Sequence, residues 1–238
     1  MNKAITIVKK ELNSNFNSPL GYIVVSVFLV ISGWMFIQSF FIFGQASMRS
    51  FFNLLPILFM FVLPAVTMSS WSEEKRSGTV EVLMSFPIST VKVVIAKFLS
   101  SFVFLLIMIV FTLTIPMMIT NLGTPDRGVM LAGYIGALFL GSSYIAIGLW
   151  VSSITKNQII SFLVTVVIIF VFYIIGNSMI LDTMPSVVAS VGKFLSFATH
   201  FDSILRGVIS LSDILYYISI IIFFLFLNAR VVSLKNWR

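Results

Sequence analysis

The sequence predicts an all-α integral membrane protein of six transmembrane helices, and three observations carry that reading. Of its 238 residues, 59% are hydrophobic and 10% charged, with a mean hydropathy of +1.09, whereas soluble domains run at roughly 45–50% apolar and about 25% charged. The apolar residues fall in runs matching the ~20 residues a helix needs to cross a bilayer. Only short charged connections separate those runs, so the chain reads as a single membrane domain over residues 1–238.

The elements follow in order. In the first 17 residues, Ile5, Val8, Leu12 and Phe16 gather on one side of a helical wheel, and Thr6, Lys9, Lys10 and Asn13 on the other. That pattern predicts an amphipathic helix lying in the membrane interface, with a frayed basic tail as the plainer alternative. Ser18-Pro19 then breaks the helix. Spans are expected near 20–43, 51–71, 94–120, 129–154, 158–181 and 214–229. They are helices because lipid offers backbone groups no partners, and the runs are too long and uniformly apolar for barrel strands. Between the last two spans, residues 182–213 form an outer segment. In it Phe194, Phe197, Ala198, Phe201, Leu205 and Val208 recur at helical spacing, opposite Lys193, Ser196, His200 and Ser203, predicting a short amphipathic helix on the outer leaflet. Asp202 and Arg206, four apart, are placed to pair along it.

Charge gives the orientation. Eleven of the 15 basic residues (Lys3, Lys9, Lys10, Lys75, Arg76, Lys92, Lys97, Lys156, Arg230, Lys235 and Arg238) fall on one face, against Arg49, Arg127, Lys193 and Arg206 on the other. The positive-inside bias makes the first face cytoplasmic, with both termini on it. Seven of the 23 charged residues, from Glu73 to Lys97, sit in or beside the connection between spans two and three. Within this connection, 72–92, Val80, Leu83, Met84 and Pro87 form one apolar stripe with Glu81 displaced from it. Pro87 interrupts that helix, and Ser89 or Thr90 is expected to cap the next. The residues leave two readings open: a docking knob for a soluble partner, or a solvated loop with a surface helix.

Composition excludes several functions. Cysteine is absent, so disulfides, thiol catalysis and thiolate metal sites do not arise. One histidine and scattered aspartates offer no metal-ligand spacing. Pairing His200 with Ser142 or Ser143 as a protease lacks any motif that joins them. No Gly-x-x-x-x-Gly-Lys-Ser/Thr loop is present to cradle ATP phosphates. Basic charge belongs to topology here rather than to nucleic-acid binding. Gly133, Ala137 and Gly141 fall four apart, a stripe that marks close packing within the subunit or at a dimer interface more readily than a substrate groove. Gln38, Asn53, Thr112, Thr165 and Asn177 are the neutral polar groups available to line a path or pair between helices.

The run from Glu73 to Leu83, Glu-Glu-Lys-Arg-Ser-Gly-Thr-Val-Glu-Val-Leu, followed by Pro87-Ile88-Ser89, resembles the signature of ABC-2 type transporter permeases. Lys10-Glu11-Leu12 with Phe16, Ser18, Pro19 and Tyr22 is similar to that family's N-terminal elbow. His200-Phe201-Asp202, Arg206-Gly207-Val208-Ile209 and Tyr216-Tyr217 resemble its segment before the last span, and these patterns are nearest to the gliding-motility-associated branch. The resemblance implies a permease subunit of a bacterial cytoplasmic membrane, working as a homodimer or with a related permease and coupled to a separate ABC ATPase. ATP and magnesium would be bound by that partner, and this chain would hold no cofactor of its own. It also implies that residues 77–86 form a coupling helix, with Glu73, Glu74, Ser77, Gly78, Thr79, Val80, Glu81, Leu83, Met84 and Pro87 at the ATPase contact and Glu11 in the elbow beside it. Export is the implied direction, because the outer segment is too short to capture a cargo. The rival reading is a membrane anchor that passes ATPase motion to an extracytoplasmic accessory apparatus.

Overall fold

The computed structural model describes residues 2–17, 19–43, 47–81, 88–123, 125–182 and 185–234. Among them the regular elements are helical and no strand occurs: α1 (Asn2–Asn17), α2 (Pro19–Phe43), α3 (Arg49–Thr67), α4 (Ser69–Arg76), α5 (Thr90–Thr112), α6 (Thr114–Leu122), α7 (Arg127–Ile154), α8 (Gln158–Ile174), α9 (Ser178–Leu181), α10 (Ser186–Leu195), α11 (Phe197–Leu205) and α12 (Leu211–Leu234). Five stretches are long and apolar enough to cross a membrane: Gly21–Ile42, Arg49–Arg76, Thr90–Asn121, Arg127–Ile154 and Leu211–Leu234.

The sixth expected span, 158–181, is shorter than its sequence suggests. α8 stops at Ile174 after 17 residues, the lower limit for a spanning helix. Asn177 Oδ1 accepts a hydrogen bond from Met179 N at 3.0 Å and so starts α9 rather than continuing α8. Gly176 lies against the Ser196 side chain with no room for a Cβ.

Two of the spanning stretches are broken, and the freed backbone groups find partners on α7. Pro116 has no N–H and its ring opposes the Thr112 carbonyl, so the helix parts into α5 and α6 at Leu113. That carbonyl accepts from the Tyr134 hydroxyl at 3.2 Å instead. At Met68, between α3 and α4, Ser152 of α7 fills the gap. Its Oγ donates to Met68 O at 2.9 Å and accepts from Trp71 N at 3.0 Å and Ser72 N at 3.2 Å. Inside a bilayer such side-chain substitutes are what make a helix break tolerable.

α7 is the axis of the bundle, with α3, α4, α5, α8, α11 and α12 packed on it. Small residues let those helices close in. Gly133 faces the Phe52 ring of α3, Gly148 faces Thr67 with Thr165 of α8 behind it, and a Cβ on Gly141 would lie 2.6 Å from Leu105 of α5. α2 is peripheral and seats one side on α3 through Phe28, stacked on Phe59 at 5.7 Å. α8 buries Ser161, Thr165 and Ile169, one residue per turn, with Val166, Ile168, Phe172 and Tyr173 half-buried against the core.

α1 packs along the start of α5. Phe16 sits 5.3 Å from Phe104 between ring centroids. Val8, Leu12 and Phe16 are half-buried and Thr6, Lys9, Lys10 and Asn13 exposed, while the most buried of the helix's described side chains is Ile7; Ile5 lies outside them. The stripe expected from 194 to 208 divides at Ser196, whose extended backbone ends α10 and whose Oγ accepts from Ala198 N at 3.2 Å to cap α11. Phe197, Phe201, Ile204 and Leu205 are buried, while Phe194 and Val208 are exposed.

Candidate functional site

The end of the bundle formed by α1, α4, the start of α5 and the close of α7, called proximal here, is organised around one lysine. Lys97 lies two turns into α5, and its side chain is 1% exposed. Its ammonium donates to Ser70 O at 2.7 Å and to Glu11 Oε1 at 2.9 Å, and forms an ion pair with Glu74 Oε2 at 3.1 Å. Lys10 adds a looser pair to Glu74 at 3.8 Å. The indole of Trp71 lies 4.8 Å from the ammonium, adding a cation–π contact to a cation already withdrawn from water. Two cations and two anions leave the cluster neutral.

This geometry joins separate elements of the chain. One ammonium holds α1, α4 and α5 together, and the Ser152 hydroxyl fixes the α3–α4 break to α7 directly behind it. A displacement of the segment beyond α4 therefore acts at once on the first helix and on two spanning stretches. A buried cation is costly unless paired, and an ammonium offers three donors to be met. Here the acceptors come from two elements, Glu11 from α1 and Ser70 and Glu74 from α4.

A family model described as an ABC-2 family transporter protein matches residues 5–235. The chain belongs to the ABC-2 transporter family. A search of curated proteins found no match. The chain is thus a membrane permease of an ABC transporter, a transmembrane subunit of a family that works with ABC ATPases. The match is to the family as a whole and does not reach the gliding-motility-associated branch.

The residues that the sequence assigned to ATPase contact fall into three groups in this ABC-2 permease. Glu73, Ser77, Gly78, Thr79 and Glu81 are exposed at the proximal tip. Ser77 Oγ donates to Glu73 O at 2.9 Å and lies 3.0 Å from Thr79 Oγ1, and Gly78 takes a φ of +71° that favours glycine, so the turn after α4 is well defined. Glu74 and Glu11 face inward to Lys97, and Val80 is 1% exposed. Leu83, Met84 and Pro87 lie outside the described residues. Ser89 stands at the N-cap of α5, but its side chain makes no cap bond.

Sequence reasoning counted Lys97 only as a flanking charge. The available signal was a lysine three residues inside an expected span, a position that calls for a partner. Gly133, Ala137 and Gly141 lie on buried faces of α7, with the two glycines against Phe52 and Leu105 of the same chain.

The other polar groups serve structure. Ser142 and Ser143 donate back to Leu138 O at 2.6 Å and Phe139 O at 3.0 Å within α7. His200 is engaged elsewhere, at the distal end of the permease. Its Nδ1 lies 2.7 Å from Asp213 Oδ1 and its Nε2 3.0 Å from Phe194 O, with the ring stacked on Tyr216 at 4.0 Å. Ser210 Oγ donates to Asp213 Oδ2 at 2.7 Å, and the Tyr216 hydroxyl donates to Leu195 O at 2.6 Å. The expected Asp202–Arg206 pair does not form within 4.0 Å, and no group of three or more metal-ligating side chains occurs among the described residues.

Proposed function

We propose that this permease takes the power stroke of a separate ABC ATPase at its proximal tip and uses it to export a substrate across a bacterial cytoplasmic membrane, both termini facing the cytoplasm. The observation that carries the proposal is the Lys97 junction. The residues offered to a partner, Glu73, Ser77, Gly78, Thr79 and Glu81, are exposed, yet they stand on a base whose buried ion pairs join α1, α4 and α5. A docking element needs both properties, because an exposed loop on a loose base would absorb the motion of its partner. In this reading α1 is the elbow, 72–92 the coupling segment with Leu83, Met84 and Pro87 completing the contact, and 182–213 the extracytoplasmic segment. α8 crosses the membrane as a sixth span, its 17 residues at the short limit. The working unit is a dimer of this chain or of this chain with a related permease, and ATP and magnesium are handled in the ATPase.

The native chain has no cysteine, so single-cysteine variants report one position each. In membranes containing the cognate ATPase, Glu81→Cys and Thr79→Cys are expected to cross-link to it, and Met179→Cys at the distal end is not. Cross-linking confined to Met179→Cys would overturn the assignment. ATP turnover that alters the association of an extracytoplasmic partner, while no cargo crosses reconstituted vesicles, would replace export with the anchor reading.

A further inference from the structure

The distal end carries a basic site that neither docking nor coupling uses. Arg49 and Arg206 are two of the four basic residues on that face, which the positive-inside bias leaves poor in cations. Both line one cleft of about 280 Å³, between the start of α3, the start of α7 and the end of α11. Asp126 also lines it, with Oδ1 capping α7 by accepting from Gly128 N at 2.8 Å and Val129 N at 3.3 Å, and it forms no ion pair within 4.0 Å among the described residues. Asp202 is the acid on which both arginines act electrostatically, yet neither closes an ion pair with it within 4.0 Å among the described residues. Two arginines thus line one cleft, and no ion pair within 4.0 Å joins either to a carboxylate among the described residues.

A second cleft, of about 200 Å³, shares Ser47 and Arg49 with the first and adds Ser39, Ser50, Asn53 and Phe40. The hydroxyl and amide donors continue from the arginines toward α2. Next along α2 from Phe40, Phe41 and Ile42 are 79% and 74% exposed, an apolar surface adjoining the cleft. Two arginines, hydroxyl donors and an apolar margin suit a phosphate group, because arginine grips phosphate oxygens two at a time and the apolar margin suits the rest of a lipid.

We propose that Arg49 and Arg206 form a binding site for a phosphate group at the distal, outward-facing end, the orientation being that of the reading above. The ligand is a phosphodiester of a lipid headgroup or a free phosphate, and the two are told apart by the test. The full chain is purified in detergent, stripped of lipid and offered phosphatidylglycerol, phosphate-free diacylglycerol or inorganic phosphate. Retained ligand is read by native mass spectrometry and protection by melting temperature. Wild type is expected to prefer phosphatidylglycerol to diacylglycerol, and R49Q/R206Q to lose about tenfold or more of that preference, the scale of lost charge-assisted hydrogen bonds. R127Q, which removes a basic residue on the same face outside the cleft, is expected to match wild type. Protection by inorganic phosphate with the same arginine dependence also supports the site and names free phosphate as the source, whereas protection by lipid alone names the headgroup. A wild-type chain that binds diacylglycerol as well as phosphatidylglycerol and gains no protection from phosphate overturns the proposal, whatever the variants do. So does an R127Q chain that loses as much as R49Q/R206Q. Because no ATPase is present, failure here leaves the coupling assignment standing, and failure of the cross-linking leaves this site standing.

Discussion

Both ends of the bundle are tied by a buried ionisable pair, but the ties span different lengths of chain. At the distal end His200 meets Asp213, 13 residues away, and Ser210 meets the same carboxylate from three. That knot closes a local turn between α11 and α12. At the proximal end Lys97 meets Glu11 across 86 residues and Ser70 across 27. Breaking the first loosens one segment, whereas breaking the second separates elements that nothing local would bring back. A protein that must carry motion from one surface inward needs the second kind of tie there, and can use the first kind to hold its far end still.

The comparison is open to direct attack, and Lys97→Ala is expected to do most. Removing one partner of a buried ion pair costs about 3–5 kcal/mol when full, and with both carboxylates retaining some exposure about 3 kcal/mol is expected here. The melting temperature of the purified chain should fall accordingly, and ATP hydrolysis by the partner should lose its dependence on the permease. Ser152→Ala comes next. It strips a partner from one carbonyl and two N–H groups at the α3–α4 break, a loss of about 1–3 kcal/mol, visible as faster hydrogen exchange at Trp71 and Ser72 before any change elsewhere.

His200→Ala should cost about 1 kcal/mol, with exchange rising between 194 and 213 and ATPase coupling intact. Equal loss of coupling in His200→Ala and Lys97→Ala would erase the distinction between the two ends. The smallest expected effect on stability is that of Glu73→Gln with Glu81→Gln, within about 0.5 kcal/mol for exposed sites. Their effect should appear instead as weaker binding of the ATPase, measured by co-purification.

The gross plan was legible in the sequence because hydropathy reports it directly: α2, α3, α7 and α12 fall where the apolar runs fall. The breaks were partly legible. Pro116 stands four residues after the carbonyl it deprives, and Asn177 follows a glycine, yet a window of apolar residues runs smoothly over both. Ser196 gave no such warning, since its neighbours keep helical spacing while its own backbone turns extended to make room beside Gly176. The junction was the least legible part. Resemblance assigned Glu74 to the ATPase contact and Glu11 to the elbow beside it, and what draws both inward is Lys97, 23 and 86 residues away. A tertiary contact of that kind leaves no periodic trace.

The serine in the α3–α4 break also restricts movement. At 1.5 Å per residue, the eight residues of α4 span about 12 Å, and within that length Ser152 holds Trp71 N and Ser72 N while Lys97 holds Ser70 O and the Glu74 carboxylate. Four of its eight residues are thereby fixed to α7 or α5, so it is displaced together with those helices and not against them. The Ser152 clamp belongs to α7, the axis of the bundle and the most deeply buried of the five membrane-capable stretches among the described residues, so α4 is seated on the part of the fold with least room to shift.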